Sequence, residues 1–542
     1  MNLTTIDGLD LIRALRGGCA NLEKHREQVD MLNVFPVPDG DTGTNMYLTI
    51  SSAFEEAEKN VQAFLGKVMK TISTGSLMGA RGNSGVILSQ IFRGMAKELG
   101  NREKADAQDM ARALKSGADT AYKAVMKPVE GTILTVIREI ARGSAEKAEE
   151  SEDVLAVLRA GVQAGNEILL KTPQMLPILK EAGVVDSGGQ GLLFFLQGFV
   201  AGLAGEAEDE ETPEEQETGA FAVSDAEEAE TMAYPYCTEL FVKCDPEKKT
   251  FIKSELKELG EELCAQAAAD GVKVHIHSNH PGKVLECCME HGLLTNITIR
   301  NLSCREPEVQ TVFETEENGE DAVLKKIGLV AVAAGDGLVD ILKSLGVDEI
   351  VHGGQTMNPS TQDILNACNR VAAENIIVLP NNSNIIMAAN QVRDICEKNV
   401  IVLPTKNVTQ AIAALVVFDA DADVETVEAN MLEEMARVTY GELTSAVRDA
   451  QIDGVEVKTG DFIGLVEGHI KADGTDKEEV LLAMMKEMVE EDHEIITMLY
   501  GADVQPEEAQ AMQEKMQAEF DWCETELHYG GQAHYDYLVS VE

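Results

Sequence analysis

Basic residues are scarce in this chain of 542 residues. Its 45 lysines and arginines stand against 94 aspartates and glutamates, which leaves a net charge of −49. A protein whose main partner is nucleic acid needs a basic face for the phosphate backbone, so this balance argues against that class. The same charge disfavours binding to an anionic membrane surface. We therefore expect neither nucleic acid nor a membrane surface among the partners.

Long apolar runs and an ordered set of cysteines are also missing. No stretch reaches about 18 uninterrupted apolar residues, so we expect no integral membrane segment. The first residues, Met1-Asn-Leu-Thr-Thr-Ile-Asp7, lack the basic region of a signal peptide. The ten cysteines are scattered rather than spaced as a disulfide framework. These features predict a cytoplasmic protein with reduced thiols.

Aromatic residues make up only 4% of the chain, and Trp522 is the single tryptophan. The hydrophobic cores must therefore be built mainly from Leu, Ile, Val, Ala and Met. A hydrophobic content of 44% is ample for two to four domains, which is the number that this length predicts.

The most informative segment is Asn33-Val-Phe-Pro-Val-Pro-Asp-Gly-Asp-Thr-Gly-Thr-Asn-Met46. Asp39 and Asp41 are separated by one glycine, and two carboxylates this close repel each other unless a cation lies between them. Oxygen ligands suit Mg²⁺, which proteins usually hold with one or two carboxylates and phosphate oxygens. The chain turns helical from about Asn45, so a helix N-terminus faces the same place. Alone, the Asp-Gly-Asp motif is more typical of a surface turn.

Three further glycine-bearing loops also precede predicted helices. Small residues and free backbone N–H groups at a helix start form a phosphate cradle, although Ser84 alone is also typical of an N-cap. Four such loops gathered at one end of a helical bundle would make a nucleotide site. The three loops are Gly79-Ala-Arg-Gly-Asn-Ser-Gly85, Pro128-Val-Glu-Gly-Thr132 and Asp186-Ser-Gly-Gly-Gln-Gly191.

This order of loops resembles the nucleotide-binding subunit of the dihydroxyacetone kinase family. The longer forms, Asn33 to Met46 and Ala80-Arg-Gly-Asn-Ser-Gly-Val86, are closer still to the bacterial fatty acid kinase catalytic subunits. The resemblance implies an eight-helix barrel, ATP and Mg²⁺ as cofactors, and a separate fatty-acid-binding protein that presents the acyl substrate. Where the dihydroxyacetone kinases have a third aspartate, this chain has Asn33-Val-Phe-Pro, so the number of metal ions is open and Asn33 is a candidate neutral ligand.

By resemblance, the catalytic residues are Asp39, Asp41 and Thr42, the two aspartates being the Mg²⁺ ligands. Further residues of the four loops are expected to bind the nucleotide phosphates or to line the rest of the site. These cofactor-binding candidates are Asn45, Asn83, Ser84, Gly85, Gly131, Thr132, Asp186 and Gly189.

The periodicity of the chain predicts a multidomain α and α/β protein. Residues 1–204 have helical spacing almost throughout and predict an all-α nucleotide-binding domain. Residues 205–231 are an acidic linker of low hydrophobicity, and residues 316–326 form a second linker. Between them, residues 232–315 predict a small α/β middle domain, in which Phe251–Ala268 reads as an amphipathic helix.

Residues 327–542 predict a doubly wound α/β domain. Its short apolar strands alternate with helices, and Ala414-Leu-Val-Val-Phe418 reads as one of those strands. Polar loops follow several strands, at the edge where such sheets place ligands or contacts. We expect this domain to dock the partner. Residues 425–542 add helices and a small antiparallel section near Gly454–Gly468.

A second metal site is a candidate in the middle domain. His275 and His277 are two residues apart on a predicted strand and therefore share a face. If the strand that carries Cys237 is a neighbour, one cysteine and two histidines meet with an open fourth position, as in zinc sites. The fatty acid kinase resemblance carries a Cys/His/His site here, with His280 as a fallback ligand. Two incidental histidines in a strand are the alternative.

The sequence, with this resemblance, predicts a phosphotransferase that transfers the ATP γ-phosphoryl group to a fatty acid carboxylate and gives an acyl-phosphate for phospholipid synthesis. Three alternatives stay open: a small-hydroxyketone kinase, a regulator that senses nucleotide without turnover, and a zinc-dependent hydrolase centred on Cys237. The oligomeric state is also open, with a homodimer as one option.

Overall fold

The computed structural model divides the chain into two compact units. One unit combines the N-terminal helical region with the C-terminal region, and the other is the middle region. Asp39 lies outside the described residues, as do most of the two predicted linkers. The structure describes residues 3–34, 40–206, 236–244, 248–257, 259–268, 271–289, 291–301, 324–354, 358–446, 450–452 and 455–542.

Helices dominate the N-terminal region, and two short strands pair within it. Eight of the described helices here have 14 residues or more. The elements are β1 (Thr5–Ile6), α1 (Gly8–Lys24), α2 (Arg26–Met31), α3 (Thr42–Lys59), α4 (Leu65–Met78), α5 (Gly82–Leu99), β2 (Ala105–Asp106), α6 (Ala107–Ala124), α7 (Ile133–Ala148), α8 (Val154–Leu169), α9 (Thr172–Met175), α10 (Pro177–Ala182) and α11 (Ser187–Ala204).

The eight long helices close into a barrel. Each packs on the next along the chain, and α11 returns to α1. That closing contact depends on glycines: a Cβ atom added at Gly17 of α1 would lie 2.4 Å from the carbonyl oxygen of Gly198 in α11. The apolar stripe that includes Leu11, Leu15 and Leu22 is buried in the barrel core. The predicted eight-helix barrel is therefore confirmed.

Helix α11 is apolar enough to resemble a membrane span by length and composition alone. Its mean hydropathy is 1.2, and 72% of the 18-residue window is buried inside the protein. Barrel-core residues such as Leu193, Phe195 and Leu196 account for that composition. This burial is what a core helix of a water-soluble domain shows, while a cytoplasmic location stays a prediction.

The described part of the middle unit is a four-stranded antiparallel sheet with two helices. The strand order is β4-β5-β3-β6, and Leu240, Val274 and Ile252 lie in its core. The elements are β3 (Tyr236–Lys243), α12 (Lys249–Leu256), β4 (Gly260–Ala268), β5 (Gly271–Ser278), α13 (Pro281–Met289) and β6 (Leu293–Asn301).

The predicted amphipathic helix over Phe251–Ala268 is wrong in its second half. The helix α12 ends at Leu256, and residues 260–268 form the strand β4 instead. The segment Gly260–Ala268 pairs with the whole of β5. Its alanines fit either a helix or a strand, and only this pairing decides between them.

The first half of the C-terminal region is a parallel four-stranded sheet in the order β10-β9-β7-β8. Alternate residues of the strand β7 enter two cores: Leu329 packs with α14 and α17, and Val330 packs with α15 and α16. Helices thus cover both faces, which confirms the doubly wound α/β prediction. The elements are β7 (Lys325–Ala333), α14 (Asp336–Ser344), β8 (Glu349–His352), α15 (Thr361–Arg370), β9 (Ala373–Leu379), α16 (Ile386–Ile395), β10 (Asn399–Val402), α17 (Val408–Val416) and α18 (Val424–Met435).

One predicted strand of this domain is wrong. Most of the apolar run Ala414–Phe418 belongs to α17, which Asn407 caps by accepting a hydrogen bond from the N–H of Thr409 at 3.0 Å. Ala411 and Leu415 bury one face of this helix in the core. A short apolar run fits a buried helix as well as a buried strand, and here the preceding cap decides for the helix.

The predicted small antiparallel section proves to be part of a larger sheet. Six strands pair in the order β15-β14-β11-β18-β16-β17, and β12 and β13 form a separate hairpin. The elements are β11 (Thr439–Ser445), β12 (Ala450–Ile452), β13 (Val455–Val457), β14 (Phe462–Val466), β15 (His469–Gly474), α19 (Lys477–Met488), β16 (Ile495–Tyr500), α20 (Pro506–Glu519), β17 (Glu524–Tyr529) and β18 (Tyr535–Val541).

Candidate active site

The N-terminal ends of α3, α5, α7 and α11 open onto one cavity of about 230 Å³. All four predicted glycine-bearing segments contribute residues to its wall, although they are far apart in sequence. The lining residues are Asn33, Asp41, Thr42, Asn45, Asn83, Ser84, Ile87, Val125, Lys127, Val129, Thr132, Ile133, Leu134, Asp186, Ser187, Gly188, Asn384 and Met387.

The helix ends suit this cavity to an anion. The N-cap residues of α3, α5 and α7 make no side-chain cap bond to their helix starts. One N–H of α3, that of Thr44, is taken by Asp30 at 3.0 Å. The positive ends of four helix dipoles lie around the same space, and Lys127 adds a full positive charge. In a chain of net charge −49, this local arrangement is what phosphate groups require.

Thr49 ties the first two loops together. Its hydroxyl donates to the carbonyl oxygen of Asn45 at 2.7 Å and accepts from the N–H of Arg81 at 3.3 Å. Gly82 follows with a φ angle of +57°, and a Cβ atom there would lie 2.5 Å from Asn45 Nδ2. Only glycine fits this turn without strain, because the backbone is left-handed and Asn45 occupies the space.

One buried group marks where a ligand would make contact. Ser84 Oγ is buried at the cavity wall and has no hydrogen-bond partner among the described residues. A buried hydroxyl without a hydrogen-bond partner destabilises the folded protein unless a ligand or a water molecule supplies that partner. Ser187 Oγ donates weakly to Thr42 Oγ1 at 3.4 Å, which links the starts of α11 and α3.

Asp186 lines the cavity and also caps α11. Its Oδ2 accepts from the N–H of Gly189 at 2.7 Å. Burial raises the pKa of Asp186 to about 7, against the lowering effect of its backbone hydrogen bonds to Gly189 and Ile133. The carboxyl group therefore joins the starts of α11 and α7, so its contribution to the site includes holding two helix ends together.

Most of the predicted site residues meet in this cavity. Asp39 lies outside the described residues, so its role stays a prediction. The predicted glycines Gly85, Gly131 and Gly189 do not line the cavity. Gly85 packs against Thr49, the N–H of Gly131 donates to Thr135 Oγ1 at 2.9 Å, and the N–H of Gly189 is the one that Asp186 accepts. The predicted residues that line it are Asp41, Thr42, Asn45, Asn83, Ser84, Thr132 and Asp186.

The sequence reasoning did not assign three polar wall residues to the nucleotide site. Ser187 lies within a predicted loop and Lys127 directly precedes one, so their place in the sequence could have indicated that they line the site. Asn384 lies in the polar loop that follows β9 of the C-terminal domain, one of the loops expected at the strand ends of the doubly wound sheet. No local pattern connects a loop near residue 384 with one near residue 83.

Oxygen donors line the cavity at Asp41, the predicted Mg²⁺ ligand that the structure describes. Asp41 offers a carboxylate, and Thr42 and Asn45 are beside it on the cavity wall. This donor chemistry fits a hard cation. Among the described residues, no three Asp, Glu, His or Cys side chains form a group that could hold a metal ion. The side chains of Asp39, Cys237, His275 and His277 are not part of that description.

The proposed zinc ligands therefore stay predictions. The backbone does place β3 beside β5, with Cys237 opposite His277 and Glu239 opposite His275. The strands are thus neighbours, as the sequence argument required. His280 is exposed on the following turn, and its N–H donates to Ser278 Oγ at 3.0 Å.

The barrel, with four helix N-termini around one cavity, has the architecture of a kinase-type domain. Family comparisons agree along the chain: residues 36–201 match the DAK2 domain, residues 233–308 match the FakA-like middle domain of fatty acid kinases, and residues 328–542 match the FakA-like C-terminal domain of the same kinases. The chain belongs to the family of bacterial fatty acid kinase catalytic subunits.

Relatives from several bacteria match the chain along its full length or nearly so. Protein YloV of Bacillus subtilis is 41% identical over 558 residues, and the match covers 100% of both chains. An uncharacterized protein of Staphylococcus saprophyticus is 40% identical over 556 residues, again with 100% coverage of both. A third relative, from Staphylococcus aureus strain USA300, is 39% identical over a match that covers 97% of each chain.

Solved structures that resemble the chain include DegV, a fatty acid binding protein from Bacillus subtilis. It has 11% identity and a TM-score of 0.32, and covers 40% of this chain and 99% of its own. The Fak B3 protein of Streptococcus pneumoniae, loaded with linoleic acid, has 11% identity and a TM-score of 0.31 with the same coverage. Likeness at this level decides neither the fold nor the ligand of this chain.

Proposed function

We propose that this protein is an ATP- and Mg²⁺-dependent kinase component that phosphorylates a fatty acid carried by a separate binding protein, giving an acyl-phosphate. The observation that carries the proposal is the convergence of four helix N-termini on one cavity whose wall includes Asp41. Membership in the FakA-like family of fatty acid kinases supports the acyl acceptor.

In this mechanism the chain's own groups mainly bind and orient. The start of α5, with Asn83 and Ser84, would hold the phosphate chain through backbone N–H groups and the unpaired Ser84 hydroxyl. Asp41, with Thr42 and Asn45 beside it, would hold the metal ion. When bound, Mg²⁺ neutralises charge that develops on the transferred phosphoryl group.

No general base is assigned. The acceptor is a carboxylate, which is already ionised at neutral pH and needs no proton removed before it attacks. Catalysis then depends on positioning and on charge neutralisation, which are the main contributions in phosphoryl transfer. The acceptor would be delivered by the binding protein, and we assign the docking of that partner to the C-terminal α/β domain.

The test measures ADP release by the full-length protein with ATP and Mg²⁺, with and without oleate bound to a fatty-acid-binding protein. We expect release to require the loaded partner. Asp41→Asn keeps the side-chain shape but removes the charge, and we expect it to lower turnover on the order of 100-fold. Asp119→Asn, an exposed change on α6 away from the cavity, is the control.

The same assay separates the alternatives. ADP release with dihydroxyacetone but not with loaded partner would favour a small-hydroxyketone kinase. Nucleotide binding without release under any of these conditions would favour a sensing regulator. Equal turnover by Asp41→Asn and Asp119→Asn would remove Asp41 from the mechanism.

A further inference from the structure

The C-terminal α/β domain reaches into the cavity of the helical barrel. Asn384 and Met387, from the end of the β9–α16 loop and the start of α16, line the same wall as the barrel residues. Asn384 Oδ1 accepts a hydrogen bond from Asn83 Nδ2 at 2.7 Å. Asn384 is only 5% exposed. A residue proposed to cradle phosphate is therefore held in place by the other domain.

A second contact reaches the proposed metal ligand. Asn358 Nδ2 donates to Asp41 Oδ2 at 2.5 Å. The carbonyl oxygen of Asn358 accepts from Arg81 Nη1 at 2.8 Å, and Arg81 N–H itself bonds to Thr49 of the barrel. Asn358 is 1% exposed, so water has little access to the contact with Asp41.

Packing makes these contacts part of one continuous core. Ala80 within the second glycine loop and Val86 just after it are buried in the C-terminal core with residues of the parallel sheet. The N–H of Thr361, at the start of α15, donates to the carbonyl oxygen of Ala80 at 3.1 Å. The loop between α4 and α5 is thus clamped between the barrel and the α/β domain.

The chemistry of Asn358 suits a partner of a metal ligand. An amide N–H is neutral, so it fixes the direction of the Asp41 carboxylate without cancelling the charge that a cation needs. A lysine at this place would compete with the cation instead. Groups that orient metal ligands in this way typically change metal affinity about 10–100-fold when removed.

We propose that Asn358 and Asn384 are positioning residues of the nucleotide site, so that the C-terminal α/β domain completes a site otherwise built by the barrel. Asn358 orients Asp41 toward the metal, and Asn384 orients Asn83 toward the phosphates. This inference rests on the proposed function, because it assumes that Asp41 and Asn83 act as metal ligand and phosphate cradle.

The chain offers a matched control on the same interface. Gln90 Nε2 donates to Gln391 Oε1 at 2.9 Å, which joins α5 to α16 much as Asn83 is joined to Asn384. Neither glutamine lines the cavity. Gln391→Ala therefore removes one hydrogen bond between the same two parts of the protein but leaves the site walls in place.

The experiment uses full-length protein and a non-hydrolysable ATP analogue, with binding measured by calorimetry across a Mg²⁺ titration and again without Mg²⁺. We expect Asn358→Ala to raise the Mg²⁺ concentration for half-maximal binding about 10–100-fold, with little change in metal-free binding. We expect Asn384→Ala to weaken nucleotide binding about fivefold at any Mg²⁺ concentration, as the loss of one hydrogen bond predicts. Gln391→Ala should match wild type in both.

For Asn358, a purely structural role would weaken metal-free and metal-dependent binding alike, so the split between them tests positioning. For Asn384, the comparison with Gln391→Ala makes this distinction, because that variant loses a hydrogen bond on the same interface but not at the cavity wall. If Asn358→Ala does not fold, Asn358→Leu, which keeps the approximate volume but lacks the N–H, replaces it. Asn358 and Asn384 variants that behave like Gln391→Ala, while Asp41→Asn loses Mg²⁺-dependent binding, would overturn this inference alone. An Asp41→Asn variant with unchanged Mg²⁺ dependence would overturn the proposed function, and the role of Asn358 with it.

Discussion

Gly82→Ala should damage nucleotide binding far more than it damages the fold. Gly82 begins α5 with a φ angle of +57°, a conformation that costs an alanine about 1–2 kcal/mol. The added methyl group would also lie 2.5 Å from Asn45 Nδ2 and 3.4 Å from Asn358 Nδ2. The first contact is far too short, so the Asn45 side chain must move.

A second glycine separates the cost of backbone strain from the cost of the steric clash with Asn45. Gly205 ends α11 with a φ angle of +74°, but a Cβ atom there would meet nothing within 4 Å. Gly205→Ala therefore carries a similar backbone strain without a clash, at the end of α11 opposite the cavity. We expect both variants to lose about 1–2 kcal/mol of stability.

Only Gly82→Ala should lose nucleotide affinity, because only it displaces a residue of the cavity wall. A displaced Asn45 that forfeits one charge-assisted hydrogen bond to phosphate would cost roughly tenfold or more in affinity. Calorimetric titration of both full-length variants with the ATP analogue and Mg²⁺ measures this difference. Equal affinities of Gly82→Ala and Gly205→Ala would refute the assignment of Asn45 to the ligand-binding wall.

Two further predictions concern other parts of the chain. Burial raises the pKa of Glu442 from 4.5 to about 7, so between these pH values the folded protein keeps a proton that the unfolded chain loses, and the free energy of unfolding falls as the pH rises. Glu442→Gln still accepts the hydrogen bond from Asn407 but cannot titrate. This variant should therefore lose up to about 3 kcal/mol of the pH dependence, measured by hydrogen exchange of β11. Purified protein should carry about one zinc per chain that is lost from the Cys237→Ala, His275→Ala and His277→Ala variants, and elemental analysis that finds equal zinc in all of them would remove that site.

Local patterns in the sequence were sufficient for the helical character of residues 1–204 and for the loops of the candidate site, whereas the eight-helix barrel was implied by the family resemblance. The loops around Asp41, Asn83, Thr132 and Asp186 each combine glycines with a helix start, and that chemistry is written within a few neighbouring residues. Local patterns failed where the competing structures share a composition. The run Ala414–Phe418 by itself fits a buried strand or a buried helix equally well, and only the cap at Asn407 ahead of it decides for the helix.

The contacts of Asn358 and Asn384 were beyond such patterns for another reason. Each is an asparagine in a polar loop after a strand, and ordinary turn chemistry explains that position completely. Their significance depends on how the parallel sheet packs against the loop that ends at Gly85. Tertiary packing of this kind joins residues hundreds of positions apart and leaves no periodic trace in either segment.

The larger unit is built from two segments of the chain with the middle unit between them, and this order has a consequence for synthesis. Asn83 and Asn384, which share a hydrogen bond at the cavity wall, are 301 positions apart, with the whole middle unit encoded between them. At about 5–20 residues per second, the ribosome adds the second asparagine roughly 15 s to a minute after the first. Through that interval Ala80 and Val86 have no C-terminal core to enter. In the nascent chain these two apolar side chains stay uncovered beside an incomplete cavity wall until the C-terminal domain is synthesised and packs on them.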